Sequence, residues 1–200
     1  MRDRDRAILA DLARFRAMSR DDIAALHFAH LRSPITSCNI VMKRLRRDGH
    51  VEVNTNRQPY VYFPMPSPIK KDGQKVDHFL EIVRFYRDLC AYGQPQVFTV
   101  EPKYGSAYME PDVFMIWKGA PFFVEIQRHQ YSTAVMAAKI KRYEAYARSG
   151  EWRKLPWQPK GQPVFPYIWI VGEARYNLQT KMLRVFQSKG VSEFLRMVGA

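Results

Sequence analysis

Asp112, Glu125 and Gln127 are the residues of this 200-residue chain whose types and spacing bear most directly on chemistry. Asp112 opens the apolar run Val113-Phe114-Met115-Ile116-Trp117, and Glu125 and Gln127 sit within Phe122-Phe123-Val124-Glu125-Ile126-Gln127. Runs this apolar read as central strands, 111–117 and 122–127. A tight turn at Gly119-Ala120 pairs Trp117 with Phe122, Phe114 with Glu125 and Asp112 with Gln127. Residues paired across strands, or two apart on one strand, share a face. Asp112, Glu125 and Gln127 therefore converge on one side, with Val113, Met115, Val124 and Ile126 on the other. Carboxylates on such strands are costly unless something satisfies them. A hard cation such as Mg²⁺ or Mn²⁺ would do so, because it takes oxygen ligands and keeps several waters. Internal partners would serve equally: backbone N–H groups for Asp112 at a strand entrance, and Arg128 or Lys139 for Glu125.

The elements that must position these groups follow the same patterning. Phe79, Ile82, Val83, Tyr86 and Leu89 predict a helix over 75–90, and Val97-Phe98-Thr99-Val100 a strand. Ser132 is placed to cap a helix running to about Arg148, residues 164–171 read as a strand, and a further helix is expected around 178–187. Helix, three strands, helix and strand in this order make an α/β sandwich around a mixed sheet. The helix after the strands interleaves Lys139, Lys141, Arg142 and Arg148 with Tyr131, Tyr143 and Tyr146. That mixture suits either a nucleic-acid backbone or a half-buried aromatic face with solvated cations.

The first sixty-four residues are organised differently. Ile8, Leu9, Leu12 and Phe15 recur at helical spacing, and Ser19 with Asp21 and Asp22 starts a second helix containing Ile23 and Leu26. Ser33-Pro34 starts a third, with Ile35, Cys38, Met42 and Leu45 on its inner stripe and Gly49 beyond its end. Val51-Glu52-Val53 and Tyr60-Val61-Tyr62-Phe63 flank a polar turn and read as a hairpin. Three helices and a hairpin compose a winged helix-turn-helix. Its third helix turns Thr36, Ser37, Asn39, Ile40, Lys43 and Arg44 outward, with Arg46 and Arg47 near its end. In such a motif the early residues approach base edges and the basic flanks hold phosphates. Asn39 suits adenine, Lys43 or Arg44 suits guanine, and Arg57 at the wing tip reaches a neighbouring groove or phosphate.

The net charge is +13, with 12 Lys and Arg against 7 Asp and Glu in residues 1–64 and 20 against 12 in 65–200. Both parts are basic, which favours a polyanionic partner through counterion release. The prolines of Pro64-Met65-Pro66-Ser67-Pro68 predict an extended linker over 65–74, dividing a domain of 1–64 from one of 75–200. Cys38 and Cys90 fit small buried hydrophobes, not a disulfide framework. No apolar run reaches membrane-spanning length, and a cytoplasmic location without a membrane partner is expected.

In the stretch Met109-Glu110-Pro111-Asp112, a short gap, then Phe123-Val124-Glu125-Ile126-Gln127, the chain resembles the PD-(D/E)XK nuclease superfamily. With the winged helix in front, it resembles more specifically the replication-relaxation family of plasmid and mobile-element proteins. Asp77-His78, Pro111-Asp112, Val124-Glu125 and Lys139 with Tyr143 or Tyr146 add to the likeness. The resemblance implies an α/β (α+β) fold: a restriction-endonuclease-like sandwich behind the winged helix. It implies metal ligation by Asp112 and Glu125 and catalytic roles for Asp112, Glu125 and the position of Gln127. The superfamily has a water-activating lysine there. Glutamine supplies no positive charge, so Lys139 or Lys141 from the next helix would have to replace it, and Glu81 would add a carboxylate. The expectation is a sequence-specific protein of a plasmid, phage or integrated element. It would bind double-stranded DNA in replication, mobilisation or transcriptional control, and a homodimer fits this motif. A Mg²⁺-dependent endonuclease targeted by the winged helix is the alternative, and a protein–protein adaptor without DNA binding is the third.

Overall fold

Ser19 closes a reciprocal capping box with Asp22: its hydroxyl accepts the Asp22 N–H at 3.1 Å, and the Asp22 carboxylate accepts the Ser19 N–H at 3.1 Å. This box starts helix α2 (Arg20–His27), between α1 (Asp3–Phe15) and α3 (Pro34–Arg47). Strands β1 (Met18–Ser19), β2 (Val51–Asn54) and β3 (Val61–Pro64) form an antiparallel sheet in the order β1-β3-β2. The computed structural model describes residues 1–199, which separate into two compact units, one of Met1–Arg87 and one beginning at Asp88.

In the first unit Ile8, Leu12, Phe15, Ile23, Phe28, Cys38, Met42, Leu45 and Phe63 are buried. The expected inner stripe of α3 holds except at Ile35, which is 40% exposed one residue after the helix start. Strand β1 has no counterpart in the sequence reading. Two residues carry no alternation, and only their pairing with Val61 and Tyr62 makes them a strand. The division between the units falls later than the 65–74 segment, within α4 (Lys75–Cys90). Helix α4 is held to the first unit as far as Arg87: Tyr86 packs on Phe15 with ring centroids 5.2 Å apart, and Arg87 bonds Asp22 at 2.8 Å.

The second unit is a five-stranded mixed sheet in the order β4-β5-β6-β7-β8. Strands β4 (Val97–Val100), β5 (Val113–Trp117) and β6 (Ala120–Ile126) are antiparallel, and β7 (Tyr167–Val171) and β8 (Val185–Ser188) run parallel to β6. Helix α5 (Thr133–Ser149) lies over one face, where Met136, Ile140, Tyr143 and Tyr146 join Phe114, Phe123, Ile168 and Ile170. On the other face Phe194 of helix α6 (Val191–Val198) stacks on Trp169 at 4.0 Å. Ser132 caps α5 as expected, accepting the Val135 N–H at 3.3 Å.

The helix expected around 178–187 does not form. Strand β8 takes its end, and α6 follows beyond it. Leu178, Met182 and Leu183 imitate helical spacing, but Val185–Ser188 instead complete the open edge of β7, where four consecutive residues pair. Gln187 then brackets Tyr176, accepting its N–H at 2.8 Å and donating to its carbonyl at 2.9 Å.

Register in the β5–β6 hairpin is set by a two-residue turn at Lys118-Gly119, not by Gly119-Ala120. Both turn residues have positive φ, 49° and 78°, and Trp117 pairs with Ala120. This is the turn geometry whose twist matches a hairpin. The pairing is therefore displaced by two residues from the sequence expectation, and a displacement of two keeps every side chain on its face. Gly119→Ala forces a Cβ into the left-handed region and should destabilise the second unit by about 1–2 kcal/mol. All four tryptophans lie in that unit, so the midpoint of urea unfolding followed by tryptophan fluorescence reads the change directly.

Candidate nucleic-acid interface and acidic centre

Asn39, Lys43 and Arg46 stand at i, i+4 and i+7 on α3 and share one face. With Arg20, Met42, Val53, Gln58, Tyr60 and Tyr62 they line a concavity of about 500 Å³. Pairing of β1 with β3 brings Arg20 and Tyr60 to this wall, where the Arg20 N–H donates to the Tyr60 carbonyl at 2.8 Å. Periodicity carries no sign of that approach, so sequence reading missed both residues. Thr36 is exposed and Ser37 half-buried at the start of α3, and Ile40 is 66% exposed. Among the described residues Lys43 and Arg46 have no carboxylate partner. The concavity thus gathers two unopposed cations, an amide and a tyrosine rim. Beneath it, burial pushes the Cys38 thiol up to about 12, so it stays protonated.

Three other expected contacts are held internally. Arg44 bonds Asp5 at 2.8 Å, Arg47 bonds Asp48 at 2.9 Å, and Arg57 bonds Asp77. Asp5 is 1% exposed and also accepts the Arg2 N–H at 3.1 Å. A buried carboxylate on α1 thus commits the Arg44 guanidinium to joining α1 and α3.

In the second unit, Val113 pairs with Val124, and the next step of this register sets Asp112 opposite Glu125. Asp112, Glu125 and Gln127 share the face beneath α5. Glu125 is 1% exposed. Lys139 and Tyr143, at i and i+4 on α5, both reach it: the ammonium meets Oε2, and the phenol donates to Oε1 at 2.6 Å. Of the two cations expected for Glu125, Lys139 is the one that meets it. The Ile126 N–H donates to Asp112 Oδ2 at 2.6 Å. Gln127 Oε1 accepts the Tyr176 hydroxyl at 2.7 Å, and its amide lies 3.0 Å from Met136 Sδ. Tyr176 sits in the irregular segment between β7 and β8, and no spacing links it to Gln127. Lys141 is exposed, and Glu81 bonds Arg84 at 2.9 Å.

Burial raises the Glu125 carboxyl above its ordinary range; Asp112 adds to the rise and Lys139 opposes it. Burial also works against the Lys139 charge, but Glu125 and Asp112 outweigh it and hold the ammonium above its usual value. Burial decides the direction for Glu125, and the two carboxylates decide it for Lys139. Tyr143, buried and bonded to Glu125, is raised well above its ordinary value and serves as a neutral donor. A divalent cation needs open oxygens and room for its waters. Both Glu125 oxygens are engaged, and no group of three His, Cys, Asp or Glu converges among the described residues. As arranged, the residues do not fit such an ion.

Comparison with protein-family models, with curated proteins and with solved structures finds no match for this chain. Among the described residues no helix is long and apolar enough to cross a membrane.

Arg44→Ala leaves Asp5 buried without its cation and should lower stability by about 1–3 kcal/mol, read as the midpoint of a circular-dichroism melt. Burial alone would raise Asp5, but the Arg2 N–H and Arg44 outweigh it and hold its carboxyl below the ordinary 3.8. The pair's contribution is therefore present above that value and is lost as pH falls through the lower folded value. The deficit of Arg44→Ala is full at neutral pH and shrinks in acid, whereas Lys43→Ala melts with the wild type.

Proposed function

We propose that the first unit is a winged helix-turn-helix that binds double-stranded DNA, with α3 in the major groove and the β2–β3 hairpin as its wing. One observation carries this reading: Asn39, Lys43 and Arg46 share an exposed face of α3 at a concavity, and the two cations have no carboxylate partner among the described residues. An unopposed cation is free to neutralise a phosphate and release counterions, and an amide beside it can bond a base edge. The chain's net charge of +13 acts in the same direction over longer range. Arg44 serves the fold in this reading, and base contacts fall to Asn39 and Lys43.

The second unit, in this proposal, has a PD-(D/E)XK-like arrangement kept as a platform and not as a cutting centre. Engagement of both Glu125 oxygens by α5 supports that half of the reading. The pairing of these two units is that of the replication-relaxation proteins, so replication, mobilisation or transcriptional control of a mobile element is the role proposed.

Fluorescence anisotropy with duplex DNA across a salt series tests the interface. Lys43→Ala with Arg46→Ala should weaken binding to every duplex and reduce the salt slope by about 2. Asn39→Ala should relax discrimination at one base pair by about 1–3 kcal/mol. Unchanged affinity and slope in the double variant would remove α3 as the binding element. Incubation of supercoiled DNA with the protein and Mg²⁺ should leave it intact. Nicking abolished by Asp112→Ala would replace the platform reading with that of an endonuclease.

A further inference from the structure

Glu125 lies on a strand whose neighbours in sequence, Val124 and Ile126, are buried apolar residues, and it is itself 1% exposed. Ionised without a partner, its carboxylate would be untenable there. Helix α5 supplies what it lacks. Lys139 and Tyr143 are one turn apart, and the helix is anchored to the same sheet face by Met136, Ile140, Tyr143 and Tyr146. The ammonium and the phenol close on the two oxygens separately, so each oxygen already carries a donor from the protein. Asp112, the next pair in the register, adds a second negative charge close enough to act on Lys139.

A Mg²⁺ ion at such a pair would bring two charges and demand an octahedral shell with several waters. An ammonium brings one charge and three donors on an aliphatic stem, and it needs no water shell when its donors are met by protein. We propose that Lys139 is the resident cation of this centre. It answers the Glu125 carboxylate in place of a divalent ion, while Asp112 accepts the Ile126 N–H, so the second unit holds two nuclease-like acids in a folded form that takes up no metal. This deepens the platform reading of the second unit, and it stands whether or not α3 binds DNA. The lysine absent at Gln127 then has no catalytic duty to pass to Lys139, whose duty is to balance charge. It follows that the lysine side chain is also the barrier to a metal, and that removing it should uncover a site.

The test uses the full chain and Mn²⁺ as the probe. Free Mn²⁺ is read by electron paramagnetic resonance, and thermal midpoints are taken with and without the ion. The wild type should leave millimolar Mn²⁺ free and melt at the same temperature with it. Lys139→Ala should melt lower, bind Mn²⁺ and regain several degrees in its presence, and both gains should vanish when Glu125→Gln is added. Mn²⁺ binding by the wild type that is lost in Asp112→Ala would overturn the proposal, as would a folded Lys139→Ala that binds none. Should Lys139→Ala not fold, Lys139→Met combined with Glu125→Gln decides. Replacing both members of a buried pair is tolerated where removing one is not, so a folded double variant supports charge balance as the lysine's role and an unfolded one refutes it. Duplex affinity measured on the same samples keeps failure of the metal test distinct from failure of the DNA interface.

Discussion

A carboxylate inside an apolar sheet must be neutralised from within the fold, and the second unit is organised around that requirement at Glu125. Its strand is buried from Pro121 to Ile126, so no water reaches the side chain to share the charge. The answer arrives from α5, and α5 is in place only because its aromatic and aliphatic face covers Phe114, Phe123, Ile168 and Ile170. Hydrophobic packing thus delivers the cation. The polar contact in turn disfavours any shift of the helix along the sheet, because a displaced α5 leaves the charge unanswered.

The first unit repeats the principle with different residues. Asp5 and Asp22 are both buried, and Arg44 and Arg87 meet them from elsewhere in the unit. These pairs divide the basic residues into two populations. One is consumed in holding elements of the fold together, and Arg44, Arg57 and Lys139 belong to it. The other remains on the surface with no counter-charge among the described residues, and Lys43 and Arg46 belong to it. The proposed DNA interface is built from the second population, while the platform character proposed for the second unit follows from the first. A net charge alone cannot separate the two, since both contribute equally to the total.

Much of the site was legible because strand periodicity is tolerant of small errors. The expected turn was misplaced by one position and the register by two, yet Asp112, Glu125 and Gln127 still fell on one face, since the period of a strand is two. Helix α3 was legible for a similar reason: Cys38, Met42 and Leu45 mark its inner side strongly enough that Asn39 and Lys43 must face outward. The failures share a cause as well. Arg20, Tyr60 and Tyr176 gain their positions from partners distant in sequence, and β8 exists because an edge of β7 lay open to it.

By itself the sequence determined the order and type of most elements up to β7 and the side of those strands and helices that holds their polar groups. Those properties arise from local periodicity and capping, which the chain carries residue by residue. Tertiary structure alone decided which charged groups meet. That Lys139 meets Glu125, and that Arg44 meets Asp5, depended on distances between elements that no spacing encodes. Burial then settled each choice, because an acid cut off from water is stable only beside the cation that the packing delivers.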